Sequence, residues 1–407
     1  MRTQTLQIPN RNGLNLSAQM DLPLKERPRA YAIFAHCFTC GKNLRAEKTI
    51  SLSLTQSGFA VIRFDFAGVG ESEGEFYETN FSTQIADILD VANFLSTHYE
   101  APQLLVGHSL GGAGVLLASE QLPSVRAVAT IGAPSNPEHV KHLFGSMQAL
   151  IEQEGEAQVL IAGRPFVIQR HFLRDLESHD VAATLTKLKK SLLIVHSPQD
   201  QIVGIDNARK IYEMARHPKS FLSLDGGDHL MGRKADAEYV GSVVAAWSSR
   251  YLELADSDPV LTDQQAVARI GKTGYTTEIR MGSHTLWADE PKSVGGDDLG
   301  PSPYDLLLAA LGACTGMTLR MYADRKKWPL EEVVVHLNHE KRYPEDMALS
   351  EERPQKLDHI FKRLEFLGDL SDEQRARLKE IAERCPVNRT LNQPVVIDSE
   401  LGGDQEG

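Results

Sequence analysis

A serine flanked by glycines, in Gly107-His108-Ser109-Leu110-Gly111-Gly112, follows the apolar run Gln103-Leu104-Leu105-Val106 and precedes a stretch suited to a helix, Ala113 to Gln121. A strand, a sharp turn and a helix with serine at the turn lift a hydroxyl off a sheet edge toward a base, without which it is a poor nucleophile. Gly107 and Gly111 leave room for a tight backbone crossing that a Cβ would block. Such a serine needs a histidine within hydrogen-bond reach and a carboxylate to hold that histidine's tautomer. Asp200 supplies the carboxylate in His196-Ser197-Pro198-Gln199-Asp200, after the apolar segment Leu192 to His196; His229 supplies the base in Asp225-Gly226-Gly227-Asp228-His229, after a segment ending at Leu224. Both follow strand candidates, and active sites of parallel sheets assemble at the C-terminal ends of strands.

Four cysteines, at 37, 40, 314 and 385, offer a second kind of chemistry. They are too few for a disulfide scaffold in a chain of 407 residues, so each needs its own account. The spacing Cys37-x-x-Cys40 can suit a redox dithiol, but the favoured reading is a small packing residue followed by a helix-entry residue in this loop. No second Cys or His pair lies at zinc-finger spacing, and no metal or cofactor is expected. Cys314, in Leu311-Gly312-Ala313-Cys314-Thr315, shares a helical stripe with Leu307, Ala310, Leu311 and Met321, which predicts a buried face. Cys385, before Pro386, sits at a predicted helix N-cap with Arg384 and Arg389 nearby, a setting that favours a thiolate.

The elements that position these residues fall into two grammars. From residue 1 to about 253, apolar strands (Tyr31 to Ala35, Phe59 to Phe64, Gln103 to Val106, Ala127 to Ile131, Leu192 to His196, Ser220 to Leu224) alternate with amphipathic helices, the last over Glu238 to Leu254. This predicts a mostly parallel sheet wrapped by helices. Between Pro137 and Lys190 the rhythm breaks into a helical and irregular stretch that reads as a cap over the sheet. Residues 254–265, with Asp256-Ser257-Asp258-Pro259, read as a linker. From 266 to 407 three short strands, an apolar helix from Pro303 to Asp324, a strand over Glu332 to Asn338 with Val333, Val335 and Leu337 on one face, and another near Leu364 predict an α+β domain.

Hydrophobic residues at 42% and charged residues at 24% describe an ordinary globular chain. A net charge of −12 argues against a nucleic-acid partner, whose phosphates draw on clustered Lys and Arg. The N-terminal residues lack the apolar core of a secretory signal and no apolar run reads as a membrane span, so a cytoplasmic protein with no membrane partner is expected.

The order Ser109, Asp200, His229, together with Asp65-Phe66-Ala67-Gly68-Val69-Gly70-Glu71-Ser72, resembles the α/β-hydrolases of the esterase and peptidase-like type over residues 1–253. The resemblance implies hydrolysis of an ester, thioester or amide through an acyl-enzyme. It also implies an oxyanion hole from the N–H groups of Leu110 and of Phe38, in His36-Cys37-Phe38-Thr39-Cys40. Cys37 stands where relatives commonly carry glycine. Residues 266 to 402 are similar to the osmotically inducible protein C (OsmC) family and its organic hydroperoxide resistance relatives, through Gly295-Gly296, Gly300-Pro301-Ser302-Pro303-Tyr304-Asp305-Leu306, Cys314 and Cys385-Pro386-Val387. That resemblance implies a peroxidatic Cys314, a resolving Cys385, an organic hydroperoxide and a dithiol reductant as partners, and a homodimer formed by the C-terminal domain. Tyr304 replaces the family's glutamate, Asp305 is the adjacent acid, and Arg280 is the candidate for the family's arginine. The alternative is a hydrolase whose OsmC-like part only dimerises it or binds a ligand.

Overall fold

The computed structural model describes residues 2–24, 28–161, 163–254, 262–272, 274–342 and 357–401. The chain parts near residue 260 into two compact units. The expected linker residues Asp256-Ser257-Asp258-Pro259 lie outside the described residues.

In the N-terminal unit a hairpin of β1 (Arg2–Pro9) and β2 (Asn15–Leu22) leads to β3 (Ala30–Ala35), α1 (Arg45–Gln56), β4 (Phe59–Phe64), α2 (Phe81–His98), β5 (Leu104–His108), α3 (Leu110–Ser119) and β6 (Ala127–Ile131). An insertion follows: a 3-10 helix (Pro137–Phe144), α4 (Met147–Glu154), the antiparallel pair β7 (Glu156–Ile161) and β8 (Arg164–Gln169), α5 (Arg170–Glu177) and α6 (Val181–Lys187). Then come β9 (Ser191–His196), α7 (Asp206–Met214), β10 (Lys219–Ser223) and α8 (Lys234–Ser248). The sheet runs β1-β2-β4-β3-β5-β6-β9-β10, antiparallel as far as β4 and parallel beyond it. Strands β3, β4, β5, β6 and β9 are buried at every position, which is why they read as mostly apolar runs, with buried Arg63, His108, Thr130, Ser191 and His196 as the polar exceptions. Ile33, Ile62, Leu105, Val128 and Ile194 pack on one face. Phe34, Val61, Val106, Ala129 and Val195 pack on the other, against Ile50 and Leu54 of α1 and Val240 and Val244 of α8.

Three expectations for the N-terminal unit are corrected by the structure. The β1–β2 hairpin was not among the strand candidates, because its exposed edge strand carries polar residues at most positions. The insertion is not wholly helical and irregular; it contains the β7–β8 hairpin, whose first strand alternates exposed and buried residues. The last helix begins at Lys234 rather than Glu238 and ends at Ser248.

The C-terminal unit contains an antiparallel sheet of β11 (Val267–Ile270), β12 (Thr277–Met281) and β13 (His284–Ala288), then α9 (Pro303–Lys326), the long hairpin β14 (Glu332–Arg342) and β15 (Leu357–Leu367), α10 (Asp372–Ala382) and α11 (Pro386–Leu391). Its core gathers Leu319, Ala323, Leu330, Leu378, Ile381 and Ala382. Helix α9 starts at a capping box between Ser302 and Asp305, with Pro303 in the first turn, and stops at Lys327 in a left-handed conformation (φ 56°). Contrary to the expectation that no segment suits a membrane span, α9 is long and apolar enough to cross one by length and composition.

Candidate active site and the cysteines

Ser109 occupies the turn between β5 and α3 with φ 54° and ψ −125°, a conformation uncommon for any residue but glycine. Its N–H is held by the carbonyl of Ile131 at 2.8 Å. The two glycines are required by contact: a Cβ on Gly107 would strike the Gly111 carbonyl, and one on Gly111 would strike the carbonyls of Ala35 and His36. The turn therefore packs directly on the loop that leaves β3.

His229 brings Nε2 to 3.0 Å from Ser109 Oγ and Nδ1 to 2.7 Å from Asp200 Oδ2. The other oxygen of Asp200, Oδ1, accepts the N–H groups of Ile202 (2.8 Å) and Val203 (2.9 Å), so the carboxylate is fixed from both sides. Burial pushes this carboxyl up, but the hydrogen bond and charge of His229, with those two N–H groups, outweigh it and hold it below its ordinary value. Asp200 is thus a committed acceptor, which leaves His229 the Nδ1–H tautomer with Nε2 free to take a proton from the serine.

Two histidines that the sequence did not mark brace this set. His108 donates Nε2–H to the backbone carbonyl of His229 at 2.8 Å. Buried His196 donates Nε2–H to the carbonyl of Val203 at 2.7 Å, behind the Asp200 loop. Burial lowers the pKa of both, so each is neutral and spends its one N–H on that carbonyl. Both follow apolar strand residues, and that position was their only sequence signal.

The loop from His36 to Lys42 is fastened at each end. His36 donates Nδ1–H to the Cys37 carbonyl at 2.8 Å and accepts the Phe66 N–H at 3.4 Å. The Lys42 N–H and ammonium both bond Asp65, each at 2.6 Å; the ammonium, 1% exposed, also reaches Glu71 at 2.7 Å. The Lys42 carbonyl accepts from Arg63, which is paired with Asp21 at 2.8 Å. Between these anchors Cys37 and Cys40 form a disulfide, and the Cys40 N–H closes the turn on the Cys37 carbonyl at 3.1 Å. The packing-residue reading of this pair is thereby corrected. Positive φ falls not on Cys37 but on Thr39 (φ 62°). Among the described residues the backbone N–H groups of Phe38 and Leu110 are given to no protein acceptor.

Above Ser109 a cavity of about 580 Å³ is walled chiefly by hydrocarbon, including Leu44, Leu110, Val140, Leu143 and Ile161. Phe38, both disulfide cysteines, His139 and Arg164 also face it. Arg164, on β8 of the insertion, donates to the Thr39 carbonyl and so ties the cap to the loop. Among the described residues no cluster of three or more His, Cys, Asp or Glu is placed to hold a metal.

In the C-terminal unit the buried stripe of α9 is Leu311, Thr315, Leu319 and Ala323, at strict four-residue steps. Cys314 lies beside that stripe and is half-buried, while Met321 is 72% exposed; this corrects the expectation that both sit on the buried face. Cys385 is buried at the N-cap of α11, where its sulfur receives the Asn388 N–H at 3.3 Å and meets the Thr315 hydroxyl at 3.5 Å. Both thiols are free. Asp305 spends its carboxylate on Ser302 in the helix cap, Tyr304 stacks on His339 with centroids 4.4 Å apart, and Arg280 donates to the Gly282 carbonyl of its own hairpin.

Residues 33–160 match the model of the alpha/beta hydrolase fold family, and residues 295–400 that of the OsmC-like proteins. The chain is similar to rat palmitoyl-protein thioesterase ABHD10, mitochondrial, at 28% identity over 204 residues, 48% of this chain and 67% of that protein. Its mouse counterpart shows 28% identity over 187 residues, 44% of this chain and 62% of that protein, so the chain spans about two thirds or less of these relatives. Among solved structures, the esterase domain of a Rhodothermus marinus protein is 47% identical, covers 62% of this chain and 99% of its own, and superposes with a TM-score of 0.52. Est1E from Butyrivibrio proteoclasticus, with ferulic acid bound, shares the fold at 21% identity, covering 60% of this chain and 99% of its own, TM-score 0.51.

Proposed function

The chain belongs to the α/β-hydrolase family through its N-terminal unit and carries an OsmC-like domain after it, and from that premise we propose a serine hydrolase of acyl esters or thioesters. The observation that carries the reading is the hydrogen-bonded series from Asp200 through His229 to Ser109 at the floor of an apolar cavity. Ser109 Oγ attacks the acyl carbonyl as His229 Nε2 takes its proton. The oxyanion is received by the N–H groups of Phe38 and Leu110, and His229 returns the proton to the departing alcohol or thiol. Water, deprotonated by the same nitrogen, releases the acid. The hydrocarbon wall suits an acyl chain, and the relatives' names of esterase and palmitoyl-protein thioesterase agree with that class.

The finer reading of the C-terminal domain is reduction of an organic hydroperoxide. Cys314 thiolate attacks the terminal peroxide oxygen, the O–O bond breaks, an alcohol leaves and a sulfenic acid remains; Cys385 then displaces water to form a disulfide that a dithiol reductant reopens. The OsmC-like match supports it. We also place the protein in the cytoplasm as a homodimer through this domain, where Met317 is 67% exposed and Met321 72% on one helix. The alternative, a module that only dimerises or binds a ligand, gains from the engagement of Asp305 in the helix cap.

Wild type, Ser109→Ala and Cys314→Ser are to be assayed on short-chain p-nitrophenyl esters, acyl thioesters and cumene hydroperoxide. Ser109→Ala is expected to lose hydrolysis and fluorophosphonate labelling while keeping peroxide consumption; full esterase activity in that variant overturns the triad. Peroxide consumption unchanged in Cys314→Ser leaves the dimerisation or ligand-binding role.

A further inference from the structure

The Cys37–Cys40 disulfide has no part in acyl transfer as described, yet both residues line the cavity that holds Ser109 and His229. The bridge encloses only Phe38 and Thr39. Phe38 carries one of the two unassigned N–H groups, and Thr39 takes a positive φ that non-glycine residues adopt only under constraint. Outside the bridge the loop is rigidly tied, by His36 on one side and by the buried Lys42–Asp65 pair on the other. The segment whose backbone is set by the state of the two sulfurs is therefore the one that presents the Phe38 N–H. The Phe38 ring packs against Phe76, Phe144 and Phe172, and the Thr39 carbonyl is held by Arg164 of the cap. Both cysteines line the cavity, and Cys40 is the more exposed of the two, Cys37 being 5% exposed.

We propose that Cys37 and Cys40 form a thiol–disulfide exchange site for a low-molecular-weight thiol inside the acyl cavity, and that the oxidised pair is the form competent for hydrolysis. A thiolate entering the cavity attacks Cys40 Sγ; the Cys37–Cys40 bond breaks, a mixed disulfide forms on Cys40, and Cys37 leaves as a thiolate that takes a proton from water. A second thiolate attacks the small molecule's sulfur in that mixed disulfide, releasing the thiol dimer and leaving Cys40 as a thiolate. Overall two thiols are oxidised to one disulfide and the protein pair is reduced. The mixed disulfide also fills the space an acyl group needs, and the opened turn no longer fixes the Phe38 N–H. When the substrate is a thioester, its leaving thiol is released into this same cavity, so the reaction delivers the reagent that slows it.

The inference rests on the hydrolase reading above, and the test separates the two. The full-length protein carrying Cys314→Ser and Cys385→Ser, so that only the first pair is redox-active, is equilibrated across a series of reduced and oxidised glutathione ratios. Hydrolysis of a p-nitrophenyl ester and the intact mass are followed together. Reduction is expected to lower kcat about tenfold or more with a smaller change in KM, the pattern of a weakened transition-state donor. A glutathione adduct mapped to Cys40 is expected at intermediate ratios, and prior labelling of Ser109 with a long-chain fluorophosphonate is expected to block it. With Cys37→Ser added, glutathione disulfide should label Cys40 directly, and the same phosphonate should prevent it. Equal kcat across the series, or an adduct indifferent to the phosphonate, overturns the proposal. Absence of hydrolysis and of phosphonate labelling in the oxidised protein overturns the hydrolase reading instead.

Discussion

His108 donates its Nε2–H to the backbone carbonyl of His229 across 2.8 Å, although the two residues lie 121 positions apart in the chain. The neighbour of the nucleophile thus holds the loop that carries the base, and their rings stand 5.1 Å apart. Burial first, and then the adjacent His229, push the His108 imidazole down to about 3, so at neutral pH its single N–H is committed to that carbonyl.

Replacing His108 with Phe removes the donor and leaves the His229 carbonyl unpaired, a loss of roughly 1–3 kcal/mol for a buried acceptor. The expected result is a kcat lowered about tenfold or more, consistent with ~1.4 kcal/mol per tenfold, with KM nearly unchanged. His108→Gln, which can supply an N–H from the same side, should recover part of that loss. A packing role alone would lower the melting temperature of both variants and leave the kcat to KM pattern the same in each.

Asp200→Asn is expected to keep the fold, since its Oδ1 can still accept the Ile202 and Val203 N–H groups, while an amide facing His229 forces the wrong tautomer. Loss of ester hydrolysis by about 10⁴-fold is the magnitude seen when a triad carboxylate is so replaced. Stopped assays with purified variant and circular dichroism on the same sample check both halves; a loss under tenfold contradicts the assigned role.

Asp87 on α2 accepts the Ala67 N–H at 2.9 Å and the Asn10 amide at 3.0 Å, yet burial raises its pKa to about 6. A folded value above the unfolded one means the native state binds the proton more tightly. Its contribution to stability is therefore complete below pH ~4 and is lost as pH rises through about 6. Two pH units correspond to on the order of 3 kcal/mol. Urea unfolding of the wild type should show this fall between pH 4 and 6.5, and Asp87→Asn should flatten it; equal slopes in the two proteins refute the assignment.

Gly111→Ala places a methyl against the carbonyls of Ala35 and His36, which are backbone and cannot rotate away. Separation of the serine turn from the loop carrying Phe38 should lower both the melting temperature and esterase activity. Gly114→Ala, where a methyl meets only the Ile88 and Phe81 side chains at 3.3 and 3.8 Å, should leave activity within about twofold, because helix propensity gains up to ~1 kcal/mol there. Comparable loss in both variants argues against the close-approach explanation.

The five inner strands were legible because burial on both faces favours apolar residues at most positions, a signal contained in five or six consecutive letters. The hairpin β1–β2 was not, since it lies at a sheet edge and its outer strand is partly wet. Helix α9 was found nearly to its ends, through Ser302, Pro303 and Asp305, but its buried face was misplaced by one residue at Cys314. A stripe of Leu and Ala is nearly uniform around the helix, so composition could not select the side that meets the core.

By itself the sequence determined the reactive inventory and the local backbone: a serine turn between Gly107 and Gly111, Asp200 and His229 after strands, and the Cys37-x-x-Cys40 spacing. These are readable because strand periodicity, glycine sterics and turn chemistry act over a few residues. Only the tertiary structure decided that His108 and His196 brace the base and its orienter, and that Lys42 and Asp65 anchor the loop after the disulfide. It also decided that Cys385 meets Thr315. Those contacts join residues distant in the chain, and a hydrogen bond or packing contact made across the fold leaves no period or spacing in the letters to announce it.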